Sequence, residues 1–129
     1  MKKYLIPLTL FFTTFCWSQT AGQSVPFTTA LLATVTAVKT TGGNVFGWCF
    51  FNGSAATAYI QMFNATTANV TLGTTVPKLS VGIPAGQTVC PGPSLVGVRF
   101  GTAISIAATT TRGGLTAPAS AIDVNFFYD

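Results

Sequence analysis

Residues 79–107, LSVGIPAGQTVCPGPSLVGVRFGTAISIA, decide the fold. Apolar residues alternate with small or polar ones in three short runs, at 79–83, 96–100 and 104–107. Clusters rich in Gly and Pro separate these runs. Period-two alternation is typical of half-buried β-strands, and Pro-Gly clusters stop strands and turn the chain. The stretch therefore predicts three antiparallel strands and no helix.

Two segments nearer the N-terminus, 45–51 and 58–63, are apolar at odd and even positions alike. In the first segment, alternation is predicted to place Phe46, Trp48 and Phe50 on one face of the strand. It is predicted to place Val45, Cys49 and Phe51 on the other face. Such strands are either central strands covered on both sides or strands whose outer face meets another subunit.

Further strands are predicted at about 34–39 and 68–72, and at 122–128, where Phe127 breaks the alternation. The total is roughly eight short strands, spaced by about ten residues. This spacing predicts an all-β fold, a two-sheet antiparallel sandwich that is jelly-roll-like.

The first twenty residues have the pattern of a secretory signal peptide. Lys2 and Lys3 precede an apolar stretch at 5–17, and the small residue Ser18 follows at a suitable cleavage position. The apolar stretch is shorter than the roughly 20 residues of a membrane-spanning helix. We therefore predict cleavage and export rather than an uncleaved anchor, with no stable membrane span afterwards.

The remaining chain is predicted to hold a short lead-in at 21–30 and a single domain at 31–129, a common domain size. Cleavage would leave two cysteines, Cys49 and Cys90. An even pair in an exported chain favours a disulfide. The alternative is two buried free thiols, because Cys49 lies among Phe and Trp residues and free Cys packs as a small hydrophobe.

The scarcity of ionisable groups argues against catalysis. The chain has no histidine, and its only acidic residues are Asp123 and Asp129. Acid–base and nucleophilic catalysis need a base beside the reacting atoms, and no Ser–Lys motif is present. We predict no enzyme activity and no catalytic residues. Zinc and calcium sites need several His, Cys or carboxylate ligands, so no metal and no cofactor is predicted.

The same scarcity bears on partners. Beyond the signal, the basic residues are scattered rather than clustered, so nucleic-acid binding is not predicted: Lys39, Lys78, Arg99 and Arg112. Only 6% of residues are charged, whereas 49% are hydrophobic. Few charges oppose strand pairing between molecules, and exposed apolar surface marks interaction sites. We therefore predict a homo-oligomer or a subunit of a larger assembly.

Two aromatic residues, Trp48 and Tyr59, are candidates for a glycan-binding platform. They support the second hypothesis, a secreted carbohydrate-binding, lectin-like module. The alternative is that Trp48 packs in the core between its Phe neighbours. Three Asn-X-Ser/Thr triplets, beginning at Asn52, Asn64 and Asn69, are interpreted as surface turns.

Several short motifs follow one another over residues 44–128: FGW at 46–48, YIQMFN at 59–64, VTLGTT at 70–75, IPAG at 83–86, IAATTT at 106–111, TAP at 116–118 and VNFFY at 124–128. Their order resembles a family of small β-sandwich proteins encoded by tailed bacteriophages and environmental viral genomes. The resemblance implies a virion-associated structural role, such as capsid decoration or a fibre component. It also implies capsid or tail proteins as partners and no catalytic residues.

The N-terminal signal is similar to those of Bacteroidota-type bacteria, which implies an exported bacterial protein instead. Two locations follow, a virion surface and an extracellular or cell-surface assembly. In both, the leading hypothesis is a non-enzymatic structural or adhesive sandwich that associates with itself. Surface glycans are the partners under the lectin-like alternative.

Overall fold

The computed structural model describes residues 25–91 and 97–129. Apart from a short 3-10 turn at Thr67–Asn69, every regular element in these ranges is a β-strand, and the all-β prediction is confirmed. In chain order the strands are β1 Val25–Leu31, β2 Thr36–Lys39, β3 Gly43–Asn52, β4 Ala58–Phe63, β5 Leu79–Ile83, β6 Thr88–Val89, β7 Val98–Phe100, β8 Ile104–Thr109 and β9 Ile122–Tyr128.

The strands form two antiparallel sheets. Sheet A has the order β1-β9-β3-β6, with β7 also paired to β3, and sheet B has the order β2-β8-β4-β5. The pairing is nested: β1 pairs with β9, β2 with β8, β3 with β6 and β7, and β4 with β5. This is the strand order of a jelly roll. A jelly roll has eight strands. Here two short strands, β6 and β7, pair with the same edge of β3 in the position of a single strand, which brings the number to nine.

The inner faces of the two sheets meet in one apolar core. Its largest members are fully buried, and each contributes about 1.5–3 kcal/mol by burial: Phe50, Phe100, Phe126, Ile60, Met62, Ile83, Ile104, Ile106 and Ile122. The rings of Phe50 and Phe126 stack across β3 and β9 with centroids 6.3 Å apart. The alternating positions that predicted the strands are the positions that fill this core.

A bulge in β3 overturns the predicted faces of that strand. The register between β3 and β9 shifts between Val45 and Gly47. An extra residue in one strand reverses the alternation on one side of it. Val45 therefore lies in the core with Trp48, and Phe46 faces outward with 40% of its surface exposed. The sequence does not reveal the bulge, because Val45 and Phe46 are both apolar.

Strand β1 differs from the sequence-based interpretation of residues 21–30 as a lead-in. Val25–Leu31 pairs with Ile122–Tyr128 along its whole length, and Leu31 is buried. The sandwich therefore includes the chain from residue 25 onward. The predicted signal peptide, residues 1–20, lies outside the described residues.

The short strand predicted at 68–72 is wrong. The chain forms the 3-10 turn Thr67–Asn69 and then a tight turn in which the amide of Thr75 donates to the carbonyl of Thr71 at 2.7 Å. Gly73 has a φ of 79°, a backbone conformation that favours glycine. The β-branched residues here predict a strand, but they lie in a loop.

The predicted disulfide between Cys49 and Cys90 is present. It joins β3 to the residue that follows β6, and it is typical of proteins that fold in an oxidising compartment. In the ranges that the structure describes, no helix is long and apolar enough to cross a membrane.

The carboxylate of Asp129 is hydrogen-bonded at the end of sheet A. The backbone amide and the side-chain amide of Asn44 donate to the two carboxylate oxygens of Asp129, at 2.5 and 2.9 Å. These bonds, helped by the charge of Lys39, hold the pKa of Asp129 below its usual value of 3.8. A carboxylate that accepts hydrogen bonds in the folded state resists protonation.

This arrangement predicts a pH dependence. The bonds from Asn44 contribute fully above the unfolded-state pKa, and the contribution is lost as the pH falls through the lowered folded-state pKa. We expect wild type to be more stable than Asp129→Asn at neutral pH, with the difference disappearing in acid. Urea midpoints measured over this range test it, with Asn44→Ala as a second variant expected to behave alike. A difference that stays constant with pH would contradict the assignment.

Candidate functional site

The two sheets differ in how their outer faces are covered. On sheet B, Gln61, Ser105 and Thr109 point outward yet are fully buried. Residues 64–78 and 110–121, here called the covering loops, lie over them. The Ser105 hydroxyl donates to the Ala65 carbonyl at 2.7 Å, and the Gln61 side-chain amide donates to the Gly114 carbonyl at 3.1 Å. Strand β4 is therefore covered on both sides by its own chain.

On sheet A, no described loop is seen to cover the outer face in this way. Phe46 and Phe51 on β3 and Phe127 on β9 all point outward, with 40%, 41% and 40% of their surfaces exposed. We call the surface defined by these three rings the aromatic face. Among the described residues, β4 is covered on its outer face and β3 is not, so β3 rather than β4 offers its second apolar face to another molecule.

Each of the three rings lies beside a glycine, and at Gly97 a side chain would crowd the ring. A Cβ placed at Gly97 would lie 3.1 Å from the ring of Phe46, one at Gly53 would lie 3.4 Å from the ring of Phe51, and one at Gly47 would lie 3.8 Å from the ring of Phe127. The rings therefore lie close to the backbone of the sheet and its turns. This packing produces a broad, low apolar surface.

The surroundings of the aromatic face are neutral in the middle and charged at its ends. Near the middle, the Thr28 hydroxyl donates to the Asn125 side chain at 3.2 Å. Asp123 lies opposite Phe51 at one end. At the other end, Arg99 lies opposite Asn44 in the pairing of β7 with β3.

The disulfide belongs to the same side of the molecule. Cys49 lies opposite Asn125 on the outer face of β3, and Cys90 is exposed directly after β6. The bond holds the two-residue strand β6 against the edge of β3, where two residue pairs alone would hold it weakly.

The structure does not bring together Trp48 and Tyr59, the two residues predicted to form a glycan platform. Trp48 is 8% exposed and stacks on Phe50 in the core, with ring centroids 5.9 Å apart. Tyr59 lies on the outer face of sheet B, where its ring packs against Gly82. Trp48 lies in the core between the two sheets, whereas Tyr59 lies on the outer face of sheet B. Sheet B therefore separates the two side chains, and one ligand does not contact both. The alternative interpretation, Trp48 in the core, is confirmed.

Of the three triplets interpreted as surface turns, the first is also wrong. Asn64 and Asn69 are exposed, but Asn52 is fully buried. Its side-chain amide donates to the carbonyls of Ala56 and Ile83, both at 2.9 Å. The Asn-Gly-Ser sequence correctly predicted a turn between β3 and β4, but it did not predict that Asn52, the first residue of that turn, is buried.

The acidic residues do not come together. Asp123 and Asp129 lie at opposite ends of β9, about 20 Å apart at the rise of an extended strand. In the described part of the chain, no three His, Cys, Asp or Glu side chains form a group that would hold a metal ion.

Two basic residues that look scattered in the sequence do come together. Lys78 and Arg112 line one cavity between the covering loops, although 34 residues separate them. Only the fold brings the two loops side by side, so no spacing in the sequence indicates this pairing.

In comparisons with known proteins, no family model, no curated protein and no solved structure matches this chain. Two surfaces of the chain are therefore the candidates for its function, the aromatic face of sheet A and the cavity over sheet B.

Proposed function

We propose that the protein is a non-enzymatic structural or adhesive subunit that associates with copies of itself through the aromatic face. The assembly would lie on a virion surface, as a decoration or fibre component, or on an exported cell-surface structure. The observation that carries the proposal is the exposure of Phe46, Phe51 and Phe127 on one side of a single sheet.

Burial of these rings is the driving force. Phe is among the residues most enriched at protein interfaces, and exposed apolar patches on soluble proteins mark interaction sites. With 6% charged residues, the chain has little charge repulsion to keep molecules apart. The outer face of the opposite sheet is covered by loops on which single apolar side chains, Val76 and Leu115, are exposed, whereas sheet A exposes three rings on one face.

A second copy of this chain fits the face because the face is self-complementary. Arg99 stands near one end and Asp123 near the other, with the rings between them. In a two-fold dimer the same surface is used by both molecules, so one end of the face on each molecule lies against the opposite end of the face on its partner. Arg99 of one molecule then approaches the Asp123 side chain of the other, and the rings meet in the middle.

The disulfide is consistent with assembly outside the cytoplasm, because such bonds persist in oxidising environments. The neutral surface around the rings, of Thr and Asn side chains, supplies hydrogen bonds at the rim. Direct recognition of a glycan by Trp48 is not part of this proposal.

Replacing Phe46, Phe51 and Phe127 together by Ser is expected to convert an oligomer into a monomer, because it removes the apolar surface that association buries. Light scattering coupled to gel filtration at micromolar concentration measures the change. The matched control is Val76→Ser, since Val76 is 85% exposed but lies on a covering loop over sheet B. A monomeric wild type would refute the proposal, as would equal dissociation by the control.

Charge exchange tests the arrangement more sharply. Arg99→Asp and Asp123→Arg are each expected to weaken association, because each places like charges opposite one another. The double variant restores opposite pairs and is expected to recover most of the lost affinity. Recovery distinguishes a specific two-fold contact from general adhesion by exposed rings, and additive losses would contradict the two-fold arrangement.

A further inference from the structure

Between the covering loops lies a cavity of about 620 Å³. Residues 73–80 form one wall, and Arg112 with Gly113 belongs to the other. Cavities of this volume bind small organic molecules. The cavity lies over the outer face of sheet B, on the other side of the molecule from the aromatic face.

The lining is positively charged and has no compensating acid. Lys78 and Arg112 line the cavity, and neither of the chain's two acidic residues is among the described residues around it. Asp123 lies on the outer face of sheet A, and Asp129 is bonded to Asn44. An oxyanion would therefore give this site the opposite charge that its own chain does not supply.

Lys78 has two contacts with residues outside the cavity lining. The Lys78 ammonium lies 5.6 Å from the centroid of the Phe100 ring, which is itself fully buried. The backbone amide of Lys78 donates to the carbonyl of Met62 on β4 at 2.8 Å.

The walls of the cavity are also ordered by the chain itself. Gly73 and Gly113 have φ angles of 79° and 69°, which fix a turn in each covering loop. The Thr71 amide donates to the Thr75 hydroxyl at 2.9 Å, and the Thr110 amide donates to the Thr116 carbonyl at 2.9 Å. The site is therefore largely formed before a ligand arrives, as small-molecule sites usually are.

Two buried polar atoms lie at or beside the cavity lining. Ser80 lines the cavity, and Gln61 lies opposite it in the pairing of β4 with β5. The Ser80 hydroxyl and the Gln61 carbonyl oxygen are both buried, and neither has a hydrogen-bond partner among the described residues.

We propose that this cavity binds a small acidic saccharide, with Lys78 and Arg112 holding its carboxylate or sulfate group. Thr74 and Thr75 supply hydroxyls for the sugar, and the side chains of Val76 and Pro77 supply apolar contact for its ring carbons. None of the described lining residues is aromatic. The usual stacking of a neutral sugar on an aromatic ring is therefore not the mode of binding here.

Titration calorimetry on the full chain tests the proposal with three ligands: digalacturonate, a galactose sulfate and neutral galactobiose. We expect saturable binding of at least one acidic ligand and none of galactobiose, and the two acidic ligands distinguish carboxylate from sulfate recognition. Lys78→Met and Arg112→Met are each expected to weaken binding about tenfold, since each removes a charge-assisted hydrogen bond. Raising the salt concentration is expected to weaken it further.

The matched control is Lys39→Met, which removes a cation that lies beside Asp129 and away from the cavity. It is expected to leave the affinity unchanged. Absence of saturable binding by both acidic ligands overturns the proposal, as does equal binding of galactobiose or an equal loss in the Lys39 variant. Circular dichroism confirms that each variant is folded, and light scattering on the same samples reads self-association separately.

Discussion

Replacing Asn52 by Asp is expected to lower the free energy of unfolding by about 4 kcal/mol at neutral pH, because it leaves an uncompensated charge in a buried site. The Asn52 side chain is fully buried, and its amide donates to the carbonyls of Ala56, Ile83 and Pro84 at 2.9, 2.9 and 3.3 Å. A carboxylate has no donor to replace these bonds and places a negative charge against three carbonyl oxygens. Urea denaturation measures the loss.

The same substitution predicts a pH dependence of opposite sign to that of Asp129. Burial among carbonyls favours the neutral acid and raises the carboxyl pKa in the folded state above the unfolded value of about 3.9. The loss should therefore grow as the pH rises through the folded-state pKa, and it should be smallest in acid, where one O–H donor remains.

Asn64→Asp is the matched control, because Asn64 is exposed and its side-chain oxygen accepts a hydrogen bond from the Thr102 amide at 2.8 Å, which a carboxylate also accepts. We expect a change within about 0.5 kcal/mol. If Asn52→Asp does not fold, Ser54→Ala tests the same cluster, since the Ser54 hydroxyl donates to Asn52 at 2.6 Å. Equal stability of the two Asp variants would contradict the role assigned to Asn52.

Opening the disulfide is expected to lower the free energy of unfolding by about 4 kcal/mol, from the loop-closure entropy of its 41-residue separation. For a domain of this size the melting temperature should fall on the order of 20 °C. Calorimetry on the oxidised protein, on the same protein with reductant and on a variant with Cys49 and Cys90 both replaced by Ala measures the effect.

The double Ala variant is also the control for the reductant. Because this variant has no disulfide, adding reductant should leave its melting temperature unchanged. If the reduced wild type melted at the same temperature as the oxidised form, the predicted contribution of the disulfide would be contradicted. In the folded protein the bond also adds to the two residue pairs through which strand β6 joins β3.

The sequence predicted the strands with one polar face well. Leu79–Ile83 and Ile122–Tyr128 have the predicted bounds, because one side of each packs in the core and the other, apart from Phe127, takes polar or small residues. Strand β4 was also predicted with its bounds, but its surroundings were not. Its outer face is covered by the chain's own loops, and an apolar outer face looks the same whether a loop or another subunit covers it.

The sites were less predictable than the strands, for three physical reasons. The bulge in β3 exchanges the places of Val45 and Phe46, and no propensity distinguishes these two residues. The cavity depends on two loops that meet only in the folded chain. Asn52 favours a turn, but whether its amide faces water or three carbonyls is decided by tertiary structure.

The nested pairing of the strands has a consequence for the order of folding. Strand β1 has its partner in β9, roughly a hundred residues later in the chain. During synthesis β1 therefore has no native partner until the last strand has left the ribosome, whereas β4 and β5 can pair as soon as both exist. Contacts so distant in sequence make folding slow. The chain would thus carry an unpaired first strand throughout its synthesis, and sheet A would close last.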